Sequence, residues 1–200
     1  MVSINTEENW IEQNESFSPT KEQWDWLIKD LSKNTDQTLV VFFHRPMFSP
    51  NPGRAAHAEA TRNLLLEKFI QYDVDLVLNG HDHYYYRSYR NETYYAVAGG
   101  GGSPLYYPRD PDGTLMLKDD VTFRAHHFCN IVVNDSHLTA TAIMVNGTSG
   151  DSFTLALEGS SISYRASESP SGFGLGFLLA IARLLVVRKI TLRRNRRLKR

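Results

Sequence analysis

Trp24, Leu27, Ile28 and Leu31 recur at the i, i+3, i+4, i+7 spacing of one helix face, which predicts an amphipathic helix of about four turns. Thr20-Lys21-Glu22-Gln23, just ahead of it, has the form of a capping box. Thr38 to Phe43 is an unbroken β-branched and aromatic run, the signature of a strand buried on both faces. Pro46 cannot join a ladder and ends it. Ala55 to Tyr72 predicts a second helix, with Leu64, Leu65 and Phe69 inward, and Val74 to Leu78 a second buried strand stopped by Asn79-Gly80. Tyr94 to Ala98 is a third strand, followed by four glycines, Gly99 to Gly102. Ser3 to Thr6 has the character of a strand end. Helix, strand, helix, strand argues for a parallel, layered α/β core.

The pattern changes after about residue 125. His127 to Val133, His137 to Val145 and Ser152 to Leu157 alternate as antiparallel strands, joined at Asn134-Asp135 and Asn146-Gly147 turns. Pro104 to Asp120 reads as a loop. Gly159 to Ser171 is a Ser-rich linker, Phe173 to Val187 is almost wholly apolar, and a basic run closes the chain.

Charge refines this picture. The chain has 22 basic and 22 acidic residues, but nine of the basic and none of the acidic ones lie between Arg183 and Arg200. The body is therefore acidic and the tail strongly basic, which is unlike a uniformly basic nucleic-acid binder. One cysteine, Cys129, excludes an internal disulfide and a cysteine metal cluster, and its apolar surroundings in sequence suggest a buried, inert thiol. Met1 to Ile11 lacks the basic segment and apolar stretch of a signal peptide.

The chemistry gathers at two strand ends. His44 follows the first buried strand, and Gly80-His81-Asp82-His83 follows the second. Residues just past the C-terminal ends of neighbouring parallel strands converge on one crevice, so three imidazoles are expected there. Imidazole suits Zn, Fe and Mn. His81 and His83 point the same way if their segment is extended, and Gly80 allows the sharp turn that aims them. Each histidine alone also reads as a hydrogen-bonded loop residue; the pairing of both motifs on successive strands favours metal binding.

His44-Arg45-Pro46-Met47 with Gly80-His81-Asp82-His83 resembles the last two motifs of the calcineurin-like metallophosphoesterases. The longer stretch GHDHYYYRSYR, Gly80 to Arg90, is similar to purple acid phosphatases in particular, as are Gln23, Trp26, Leu27 and Leu31 and the glycine-rich Ala96 to Leu105. The resemblance covers about residues 3 to 157. It implies an α/β chain forming the C-terminal half of a four-layer αββα sandwich, with residues 1–158 as the phosphoesterase portion. It also implies that His44 and His81 bind the divalent ion of a two-metal centre (Fe with Zn, Mn or Fe) and His83 the ferric ion, and that hydroxide attacks a phosphate ester in line between them. Where plant members carry two adjacent substrate-contacting histidines, this chain has Gly53 and Arg54. Arg54 is a candidate for bidentate phosphate binding, or merely flanks a helix; His57 is the nearby candidate acid.

The family's other motifs, an Asp-x-His, a Gly-Asp-x-x-Asp/Tyr and a Gly-Asn-His, have no counterpart in these 200 residues. Neutral imidazoles alone do not offset the repulsion of two adjacent cations. The expectation is at most one weakly held metal, with full activity needing a missing N-terminal half. Two other readings stay open: a surface-anchored fragment, catalytically inactive, that binds metal or a partner, and a phosphodiesterase or nucleotidase of the same superfamily.

Residues 172–200 suggest a transmembrane or sorting helix with a basic end, and 159–171 its linker. Pro170 to Gly174, the apolar run and the basic end resemble the C-terminal sorting tails of archaeal surface proteins. The positive-inside rule then places the phosphatase portion outside the cell, anchored by its C-terminus. Asn-x-Ser/Thr sequons at Asn14, Asn91, Asn134 and Asn146 fit an exported glycoprotein. A buried helix, or an interfacial or nucleic-acid-binding tail, remains the alternative.

Overall fold

A computed structural model describes residues 1–157, apart from 7–9, 12–15, 18, 36, 111–112 and 114. The linker and tail, 159–200, lie outside the described residues. In chain order the elements are β1 (Val2–Ser3), β2 (Trp10–Ile11), β3 (Ser16–Phe17), α1 (Lys21–Lys33), β4 (Val40–Phe43), α2 (Ala55–Gln71), β5 (Leu76–Asn79), β6 (Tyr85–Arg90), β7 (Thr93–Ala98), β8 (Val121–Phe123), β9 (His127–Val133), β10 (His137–Met144) and β11 (Ser149–Ala156), with a 3₁₀ turn at Pro52–Arg54 before α2.

The main sheet has six strands in the order β1-β4-β5-β7-β6-β8. Its first four strands run parallel, with Val41 opposite Val77 and Leu76 opposite Tyr94. β6 is antiparallel to β7 and β8. The aromatic-rich stretch Tyr85 to Arg90, read in sequence only as part of a motif, is thus a strand. It turns into β7 through Asn91 and Glu92, both left-handed (φ 50° and 64°), the backbone of a two-residue type I′ hairpin. β9, β10 and β11 form a separate antiparallel sheet, as the alternating pattern anticipates.

Alternate residues of the central strands feed two cores. Val41, Phe43, Val77 and Tyr95 join Leu27 and Leu31 of α1 and Leu65 and Phe69 of α2. Val40, Leu76 and Ala96 face the other way and meet Leu138, Ala140 and Phe153 of the three-stranded sheet and Leu157 just after it. The described residues therefore make three layers: helices, six-stranded sheet, three-stranded sheet. The continuous apolar runs of β4 and β5 are explained by this double burial.

α1 begins as anticipated, with Thr20 Oγ1 accepting from Gln23 N–H at 3.2 Å. The capping box is only half made, because Gln23 Oε1 is buried without a hydrogen-bond partner among the described residues. Cys129 is partly buried beside Asp151, and desolvation pushes its thiol up to about 12, so the inert reading holds. Among the described residues no helix is long and apolar enough to cross a membrane.

Leu65 is fully buried between α2 and the sheet. Leu65→Ala is expected to cost about 2–5 kcal/mol, read from urea denaturation; Thr20→Ala, losing one capping bond, should cost about 1 kcal/mol.

Candidate metal and anion site

The site is built by register. Phe43 of β4 lies opposite Asn79 of β5, so the residues that follow leave the sheet side by side. Gly80 N–H bonds to His44 O at 3.0 Å and Asn79 Nδ2 to Phe43 O at 3.0 Å, tying the two strand ends together. His44 Nε2 and His81 Nδ1 come to 3.2 Å, with their rings at 80° to each other.

The turn that follows differs from the extended segment anticipated from spacing. Asp82 N–H bonds to Gly80 O at 2.7 Å and Tyr84 N–H to Asp82 O at 2.8 Å, two successive three-residue turns. The left-handed residue is His81 (φ 65°), not Gly80. That conformation is strained for a side chain with a Cβ and is found mostly where surrounding structure enforces it. Because the chain winds here, His81 and His83 part company. His83 places Nδ1 3.0 Å from Pro104 O and its ring 5.2 Å from that of Tyr106. Of the three imidazoles, the structure brings two into contact. Among the described residues no group of three or more His, Cys, Asp or Glu is gathered so as to hold one ion.

Arg54 and His57 do join the pair. His57, in the first turn of α2, has its ring 6.1 Å from that of His81. Arg54 Nε lies 3.6 Å from Asp82 Oδ1, and its guanidinium sits 6.0 Å from the Tyr106 ring. Two further residues, given no role by sequence reasoning, complete the cluster. Arg45 Nη1 is 3.5 Å from His81 Nε2. Asp82 is wholly buried, and its Oδ2 accepts from Ser49 Oγ at 2.6 Å and Tyr84 OH at 2.7 Å. Arg45 was signalled only by its place beside His44. Nothing local distinguishes a buried Asp82 from an exposed one.

Burial, then the charges of Arg54 and Arg45, then His44 and His57, drive the His81 pKa down to about 3. Its imidazole is neutral at any ordinary pH, the form a metal requires. Burial pushes the Tyr84 hydroxyl well above its usual value, so it remains a donor to Asp82. Two imidazole nitrogens 3.2 Å apart suit adjacent positions on one cation about 2.1 Å from each. Two donors are fewer than the three protein ligands of a catalytic zinc site, so the pair fits a metal as part of a ligand set.

Residues 4–85 match the family model of calcineurin-like phosphoesterases. Over that stretch the chain is similar to calcineurin-like phosphoesterases, and among curated proteins to purple acid phosphatases. It is 35% identical over 97 residues to a phosphoenolpyruvate phosphatase of Allium cepa, covering 45% of this chain and 20% of that protein. To the purple acid phosphatase of Glycine max it is 35% identical over 104 residues, covering 46% and 22%. Among solved structures, a purple acid phosphatase from yellow lupin seeds superposes with a TM-score of 0.61 at 22% identity, over 84% of this chain and 34% of that one. The anchor in the inner membrane complex of Plasmodium superposes with a TM-score of 0.63 at 16% identity, over 79% and 49%. These two likenesses establish the fold. The chain spans about a fifth of the length of the curated relatives it matches.

Gly99 backs this turn. A Cβ there would meet Asp82 O at 1.9 Å, while one at Gly101 meets nothing within 4 Å. Gly99→Ala is expected to cost roughly 1–3 kcal/mol and Gly101→Ala less than about 0.5 kcal/mol, compared by thermal denaturation. The depressed His81 pKa also has a sign. Between about pH 3 and 6.5 the unfolded chain binds a proton at His81 that the folded chain refuses, so stability of the metal-free chain falls as pH drops through that window. Buried His127 is shifted the same way and adds to it. His81→Gln should flatten the pH dependence of the urea midpoint there; an unchanged slope refutes the assignment.

Proposed function

We propose that this chain supplies part of the active site of a metal-dependent phosphate-ester hydrolase of the acid phosphatase type. The observation that carries the reading is the His44–His81 pair at two adjacent parallel strand ends, its rings 3.2 Å apart at their nitrogens and ringed by Arg45, Arg54 and His57. The phosphatase names of the relatives support it.

In this reading His44 and His81 hold one ion and His83 the second, with the remaining ligands supplied from outside these residues. When bound, such ions would acidify a water and draw charge from the phosphoryl oxygens. Arg45 and Arg54 attract and orient the phosphoryl anion through charge-assisted hydrogen bonds. In the same reading His57, on the first turn of α2, hands a proton to the departing oxygen. Residues 1–158 act as the phosphoesterase portion, 159–171 as a linker and 172–200 as a membrane-facing tail. Full-length chain should pellet with anionic vesicles where a chain ending at 158 stays in solution; equal pelleting would remove the anchor.

Equilibrium dialysis with Fe, Mn or Zn should show at most one weakly held ion per chain. His81→Ala should weaken it by at least about tenfold, the loss that even outer partners of a metal ligand cause. Turnover of p-nitrophenyl phosphate should appear when a polypeptide bearing the family's Gly-Asp and Gly-Asn-His motifs is added, and vanish again with His81→Ala. Ion binding indifferent to His81 would overturn the reading.

A further inference from the structure

Asp82 stands between two histidines of the motif, yet its carboxylate turns away from solvent and is fully buried. Oδ2 is clamped by Ser49 Oγ and Tyr84 OH, which are themselves 2.8 Å apart. Oδ1 receives Tyr106 OH at 3.4 Å and faces Arg54 Nε at 3.6 Å. A buried carboxylate is costly unless paired, and here Arg54 is the cation that pairs with it. Arg54 is a third exposed and ends a 3₁₀ turn at the N-cap of α2, where its side chain makes no capping bond. Its long side chain has several rotamers to lose on binding an anion.

From this geometry we infer that Asp82 is a positioning residue. It holds Arg54 by the inner nitrogen, Nε, so that the two terminal nitrogens of the guanidinium are presented as a preset fork to a phosphoryl dianion beside His81. The inference rests on the phosphate-ester reading for the identity of the anion. The hydroxyls of Ser49 and Tyr84 act one step further back, fixing the carboxylate that fixes the arginine. The Tyr106 ring supports the guanidinium from the side. The arrangement uses the fork geometry of arginine, which a lysine point charge does not reproduce.

The test titrates inorganic phosphate into the metal-stripped full chain, followed by ³¹P NMR at low salt. Arg54→Gln should weaken binding about tenfold or more, the loss of one charge-assisted hydrogen bond. Asp82→Asn, nearly isosteric, should weaken it several-fold, and the double variant should bind no worse than Arg54→Gln alone. Arg54→Lys, on a partly exposed side chain that folding does not need, should behave like Arg54→Gln. Losses that multiply in the double variant would mean that Asp82 acts only on the fold, and would overturn the inference. So would wild-type affinity in Arg54→Lys or Asp82→Asn, or no phosphate binding by the native chain. Phosphate binding that follows this cycle in a chain that never turns over, even when complemented, would uphold the role of Asp82 and reject the hydrolase reading.

Discussion

Parallel pairing of β4 with β5 is the constraint on which the rest depends. It sets Phe43 against Asn79, and His44 and His81 leave the sheet from that step. The pairing is secured by burial on both faces: Val41, Phe43 and Val77 against the helices, Val40 and Leu76 against the second sheet. A slip of one residue would exchange these two sets. It would also separate His44 from His81, so the hydrophobic pattern of two short strands fixes the distance between two polar rings.

Much of this was legible in the sequence. The β-branched runs of β4 and β5 and the helical periodicity around Leu27 and Leu65 are strong signals because burial demands them. The Asn-Asp and Asn-Gly turns of β9, β10 and β11 are local and equally plain; Asn134 and Asn146 each accept hydrogen bonds from the backbone two residues on. β6 was hidden because Tyr85, Tyr86 and Ser88 are buried while Arg87 and Arg90 interleave with them, giving no clean alternation. Its strand character comes from pairing with β7 across the Asn91–Glu92 turn and with β8, which lies far along the chain. β8 is three residues long and offers still less.

The candidate site was legible in its residues but not in its geometry. Strand-end position and spacing brought His44 and His81 forward, the family resemblance brought Arg54 and His57, and all four cluster. Spacing misdirected the aim of His83, since two-residue periodicity holds for extended chain and Gly80 to Tyr84 is wound. The part played by Asp82 depends on Ser49, Tyr84 and Tyr106 converging from three separate segments. The outcome is a concentration of positive and neutral donors in a chain whose body carries excess negative charge. Such a contrast focuses anions toward one spot.

The left-handed backbone at His81 has a further implication. Glycine would adopt that conformation at no steric cost, so the position trades sturdiness for an imidazole. Screening variants for heat resistance alone would reward its loss, and a library enriched that way would drift toward well-behaved but chemically silent proteins.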